Sequence, residues 1–235
     1  MPRRETHSPI AFATRARSLA VMPDVKPSTA HLILWPSIVT LVVSIVRLTC
    51  ELQGVVPPTS GGAVSPLGIA WLMLLFGGYF GFRLTRAGSA ANVARPALWS
   101  LLLILAVIGV GYWMFKDIDP KDTSEAGFAL FAEKFLGLMV AIGCAALGTL
   151  LLWTRLGWTL LCYGVVARTG VMAITWLAKY MNWDTHYTKL GPAGITRDMA
   201  ATLQATGMAQ FGLWVPATIV FGGFFGCLFA KGKRS

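Results

Sequence analysis

"LILWPSIVTLVVSIVRLTCEL", residues 32–52, is a run of twenty-one residues that carries only two charges, Arg47 and Glu51. As a helix it rises about 31 Å at 1.5 Å per residue, enough to cross the hydrocarbon core of a bilayer. Its polar residues are not scattered. Ser37, Thr40, Ser44, Arg47 and Glu51 follow one another at spacings of three, four, three and four, so a helix gathers all five on one stripe. The other faces are almost entirely Ile, Val and Leu, which turns the stripe towards protein or water and the remainder towards lipid.

Five further stretches read the same way, and the spans fall near 32–53, 65–84, 96–115, 130–153, 157–179 and 208–230. Pro36, Pro66 and Pro96 lie close to the starts of the first three, where a missing N–H costs nothing. Composition agrees. The chain is 55% hydrophobic and 13% charged with a mean hydropathy of +0.64, whereas soluble domains carry about 25% charged residues. A net charge of +10 would suit nucleic acid, but the basic residues sit at the ends of apolar segments, so no nucleic-acid partner is expected. The expected fold is all-α: a polytopic integral membrane protein, a six-transmembrane-helix bundle over residues 31–235, with the lipid bilayer as its first partner.

Orientation follows from Lys and Arg in the short flanking pieces. One side gathers Arg3, Arg4, Arg15, Arg17, Lys26, Arg83, Arg86, Arg95, Arg155, Lys231, Lys233 and Arg234. The other holds Lys116, Lys121, Lys179, Lys189 and Arg197, with six acids beside them. Both termini are therefore expected to be cytoplasmic, in a cytoplasmic or inner membrane. Trp35, Trp99, Trp153 and Trp158 fall at the inner boundary; Tyr112, Trp113, Trp176, Tyr180 and Trp183 fall at the outer one. Residues 1–30 are polar and Arg-rich and read as a disordered basic cytoplasmic tail rather than a cleaved secretory signal. Met22 is an alternative start that would leave a short lead, "MPDVKPSTA". Cys50, Cys144, Cys162 and Cys227 show no metal-ligand spacing and read as small packing residues.

Chemistry is sought where charge enters the spans. Arg168, in "CYGVVARTGVMAITW" (162–176), has roughly ten apolar or small residues on either side, and a cation at mid-bilayer costs at least ~2.5–3.5 kcal/mol on the insertion scale. It should face the interior and meet a carboxylate or several carbonyl oxygens. Two roles stand open: an ion pair that fixes helix docking, or a binding group for an anion or polar solute. In "GFALFAEKFLGLMVAIG" (127–143), Glu133 and Lys134 stand near the start of the fourth span. Lys134 reads as an interfacial side chain with a long stem. Glu133 is expected to turn inward and neutralise Arg168, with Arg47 and Glu51 nearby. The expected cluster is Arg47, Glu51, Glu133, Lys134 and Arg168, reached along Ser37, Thr40 and Ser44.

Packing words accompany these charges. "FGGYFG" (76–81) and "FGGFFG" (221–226) each hold a G-x-x-x-G pair, which admits close backbone approach; they are also what a parallel repeat of the 1–2 and 5–6 hairpins would leave. A helix could start at Thr196 and run into the last span, where Pro216 removes a hydrogen bond and kinks it, with Gln204 and Gln210 on its outer part. "MNWDTHYTKLGP" (181–192) reads as a solvated loop anchored by Trp183, with a cover over the cluster as the alternative. No span contains His, and H-E-x-x-H, G-x-S-x-G and P-loop motifs are missing. No catalytic residue, metal ligand or cofactor is therefore expected, and an enzyme is the least favoured class. A carrier or channel for an ion or small polar solute, anionic ones included, is the leading expectation. A non-catalytic subunit or assembly factor, paired with itself or with a membrane-complex partner, is the alternative.

Overall fold

The computed structural model describes residues 28–58, 65–89, 93–119, 122, 124–189 and 197–230. The expected N-terminal tail lies outside them up to residue 27. Within them the chain is helical, with no strand. Six helices follow in order: α1 Thr29–Leu52, α2 Leu72–Arg86, α3 Ala94–Phe115, α4 Glu125–Leu152, α5 Thr154–Tyr180 and α6 Met199–Phe229. Five of them, all but α2, are long and apolar enough to cross a membrane.

Side chains on α1 sort as the stripe predicts. Thr40, Ser44, Arg47 and Glu51 are buried, whereas Leu34, Ile38, Val42 and Ile45 are exposed. Ser37 is half-buried, with its hydroxyl inside. Pro36 stands within the helix rather than at its start, and Thr40 donates its hydroxyl to the Pro36 carbonyl at 2.8 Å. Long apolar faces are exposed on α3 and α4 as well, among them Leu98, Leu105, Val140 and Leu147. Such faces suit lipid. Trp35, Trp99, Trp113 and Trp158 are exposed in accordance with a belt, but Trp153 is 8% exposed and belongs to the core.

The second span departs most from expectation. Helix α2 begins at Leu72, seven residues later than the 65–84 reading, and its 15 residues rise only about 22 Å. Ser65–Trp71 form turns instead, because Pro66 cannot donate and Gly68 has no side chain to hold it in a helix. Gly68 and Ala70 are buried and Ile69 packs on Leu48, Val171, Ile174 and Tyr187, so protein covers this irregular backbone.

Helix α6 is the hub and touches α2, α3, α4 and α5. Its closest approach is to α2: a Cβ at Gly77 would overlap the Gly222 backbone, and one at Gly81 the Gly226 backbone. The two glycine words therefore meet each other across one interface, a packing cause for their likeness. Residue pairs give the directions. On α2 and α6, 77 meets 222 and 81 meets 226; on α5 and α6, 156 meets 226 and 160 meets 222. Helix α2 is thus parallel to α6, and α5 antiparallel. Contacts of Gly111 with Leu138 and of Gly148 with Leu103 make α3 and α4 antiparallel. Thr149 against Gly223 and Met139 against Gly212 set α4 parallel to α6. Helix α1 runs with α5, since Thr40 meets Tyr163 and Leu48 packs with Val171 and Ile174. Thus α1, α3 and α5 run one way and α2, α4 and α6 the other. We call the end where α1, α3 and α5 finish the upper end.

Candidate functional site

Two arginine sites emerge, one at the upper end of α1 and one between α5 and α6. The first closes the upper end of α1. Arg47 and Glu51 stand one turn apart, and Arg47 Nε donates to Glu51 Oε1 at 2.8 Å. The connection after α5 folds back on them. The His186 backbone N–H donates to Glu51 Oε2 at 2.9 Å, and His186 Nδ1 lies 2.6 Å from Oε1. The same Nδ1 is 3.2 Å from Arg47 Nε, but one nitrogen cannot donate to the carboxylate and accept from the guanidinium at once. Arginine keeps its protons, and a 2.6 Å approach to a carboxylate needs a proton between the two atoms. The network therefore assigns the proton to Nδ1, and both donors share Oε1. Next door, the Tyr187 hydroxyl donates to the Ser44 carbonyl at 3.1 Å.

Burial acts on these loop groups. It pulls the His186 imidazole below its ordinary range; Glu51 pulls it back through its hydrogen bond, Arg47 opposes protonation, and the net shift is downward. Burial likewise pushes the Tyr187 phenol up to about 12. This site is a neutralised clasp that holds the 181–189 connection to α1. The solvated-loop reading is thereby corrected: His186 is a ligand of Glu51. Its residue type and the buried acid opposite were both in the sequence, but nothing in the spacing joined positions 135 residues apart.

The second site lies in the seam between α5 and α6. Arg168 is 5% exposed. Its Nη1 donates to Gln210 Oε1 at 3.2 Å, and its Cζ lies 5.2 Å from the centroid of the Trp214 ring, within cation–π reach. Buried Nε has no hydrogen-bond partner among the described residues. No carboxylate among them stands within 4.0 Å of this guanidinium.

The local backbone explains how α6 reaches it. Met208–Trp214 form a π-helical stretch, in which the Val215 N–H donates to the Gln210 carbonyl. Pro216 follows directly; without an N–H, and with a ring that crowds the carbonyl four residues back, it prevents α-helical closure there. The predicted disturbance at Pro216 is therefore a π stretch, and it carries both Gln210 and Trp214. Helix α6 itself starts at Met199, capped by Asp198, whose carboxylate accepts from the Ala201 N–H at 2.7 Å.

The expected five-residue cluster is not one cluster. Arg47 and Glu51 are together, Arg168 bonds to Gln210 and to neither of them, and Glu133 does not reach Arg168. Helix α4 starts at Glu125 rather than near 130, and Glu133 emerges exposed from its third turn. Lys134 is half-buried beside a cavity of about 450 Å³ between α3 and α4, with Trp113, Lys116 and Asp117. Gln210 and Trp214 were missed as partners of Arg168. Depth could have found them. Arg168 stands twelve residues before the upper end of α5 at Tyr180, and Gln210 eleven after the upper end of α6 at Met199, whereas Glu133 stands only eight into α4.

Among the described residues no three His, Cys, Asp or Glu gather as a metal set. No protein-family model, curated protein or solved structure matches the chain.

Proposed function

We propose that this chain is a small multi-pass membrane carrier or channel, and that Arg168 in the α5–α6 seam handles an anionic or strongly polar solute. One observation carries the reading. A guanidinium is buried halfway along a span with no counter-charge within 4.0 Å among the described residues, and a cation so placed needs an anionic partner at some stage of its work. Six crossings with both termini on the cytoplasmic side complete the proposal. The alternation of helix direction supports it, as does the gathering of Arg83, Arg86, Arg95 and Arg155 at the lower end. Helix α2 counts as a short crossing, extended by the covered turns at 65–71. The Arg47–Glu51–His186 clasp is its structural counterpart, which secures the upper connection.

The test is flux. Wild-type protein in liposomes should move small anions down a gradient, and Arg168→Gln should remove that flux while the protein still folds and inserts. A folded wild-type chain that carries no flux, and that co-purifies with a stable membrane partner, would overturn transport in favour of a subunit role.

A further inference from the structure

The seam around Arg168 also states what kind of anion fits. A guanidinium offers five N–H donors in a planar fork. Gln210 takes one from Nη1, and Trp214 covers a face. The Nε–Nη2 edge is left, with no hydrogen bond to any described residue. That edge presents two parallel N–H bonds, the geometry that matches the two oxygens of one carboxylate.

Further up α5 and α6, two hydroxyls lack a partner, as those of Ser37 and Ser100 do elsewhere among the described residues. Thr40, Ser44, Thr149, Thr159 and Thr218 each donate to the carbonyl four residues back, which is how a hydroxyl in a span satisfies itself. Thr175 and Thr206 are buried and make no hydrogen bond among the described residues. In the antiparallel α5–α6 pair, 164 meets 218, 168 meets 210 and 172 meets 207, so both threonines lie above Arg168, towards the upper end. The fork of Arg168 thus stands beside the indole of Trp214, and the methyl end of Met172 reaches Gly207 further up the seam.

We infer that this seam binds a planar monocarboxylate with a small apolar body: carboxylate on the Nε–Nη2 edge of Arg168 and apolar part against Trp214. A single cation neutralises a single charge, which disfavours a phosphate dianion, and a halide would use neither the second donor direction nor the indole. The inference rests on the anion-site reading above and narrows it.

Purified full-length protein in detergent separates the two. Acetate, butyrate, benzoate, chloride and phosphate are titrated by calorimetry at neutral pH and constant ionic strength. Butyrate and benzoate should bind more tightly than acetate, and chloride and phosphate on the order of 10-fold more weakly than either. Arg168→Lys keeps the charge and removes the fork, so it should cost on the order of 10-fold in benzoate affinity and little for chloride. Chloride or phosphate binding as well as benzoate would overturn the carboxylate assignment and leave the anion site standing. A folded wild-type protein that binds none of the five would overturn both. The wild-type series decides the matter even if the lysine variant fails to fold.

Discussion

Arg47 and Arg168 are 2% and 5% exposed, yet they are provided for in opposite ways. Arg47 has a carboxylate one turn away, and a loop closes over the pair with two more donors to the same acid. Arg168 has an amide oxygen, an indole face and one open edge. Burial of a charge carries a similar penalty in both places, so the difference lies in what offsets it. The clasp is offset within the chain and therefore does structural work. The seam is offset without a carboxylate among the described residues, which is the feature the proposed anion site rests on.

That contrast breaks most readily at Glu51. Glu51→Gln removes the counter-charge of Arg47 and halves the acceptor capacity that His186 uses, so it should destabilise the protein by about 3–5 kcal/mol. Unfolding in mixed micelles, followed by tryptophan fluorescence, reads it. Arg168→Met removes a charge that has no carboxylate within 4.0 Å among the described residues, so stability should hold or rise by ~1–4 kcal/mol while anion binding is lost. Equal destabilisation by the two variants would make Arg168 a docking residue and abolish the distinction between the sites.

Pro216 sharpens it next. Pro216→Ala restores an N–H that can donate to the Gly212 carbonyl and lets the π stretch tighten into α-helix. One residue of register is about 100° of rotation, so Gln210 and Trp214 would turn off Arg168. Anion affinity should fall on the order of 10-fold, since charged hydrogen bonds are worth ~1.5–3 kcal/mol, while the clasp keeps its hydrogen-exchange protection. Loss of protection at 181–189 in this variant would mean that the two sites are one mechanical unit.

How much of this was legible follows the same division. Helix faces were legible because they repeat locally: the five-residue stripe on α1 needed only the 3.6-residue period, and the G-x-x-x-G pairs announced close backbone contact. The late start of α2 was half legible, since Pro66 and Gly68 were visible but hydropathy over 65–71 still resembled a span. Partners were not legible. Choosing Glu133 for Arg168 assumed that a buried cation takes the available acid, and the fold used an amide and an aromatic ring instead. His186 and Glu51 are joined by a return of the chain that no local pattern encodes.

Acidification tests the clasp more gently. His186 is held below the ordinary histidine range, so the unfolded chain binds a proton more readily than the folded one. Stability then rises with pH across the window between the lowered folded value and the ordinary value of about 6.5. The contribution is fully present above that window, is lost progressively as pH falls through it, and levels off below. The hydrogen-exchange protection factor at 181–189, the rate relative to the intrinsic amide rate at each pH, should therefore fall on acidification, with the Arg168 seam unchanged. His186→Asn should flatten the dependence. A loop whose protection factor rises with acid would show that the Glu51 contact, rather than burial, governs the imidazole.

The smallest expected effect falls on the acid that the sequence offered Arg168. Glu133 is exposed on α4 and makes no ion pair within 4.0 Å among the described residues, so Glu133→Gln removes a solvated or interfacial charge and should change stability by no more than about 0.5 kcal/mol. Because Arg168 does not depend on it, Arg168→Gln combined with Glu133→Gln should equal Arg168→Gln alone in both stability and anion binding; additivity within ~0.5 kcal/mol is what independent sites give. A coupling above 1 kcal/mol in that cycle would bring the carboxylate to the guanidinium after all. The seam would then be a second clasp, its open edge closed by the chain's own acid, and the case for a bound carboxylate from outside would fall with it.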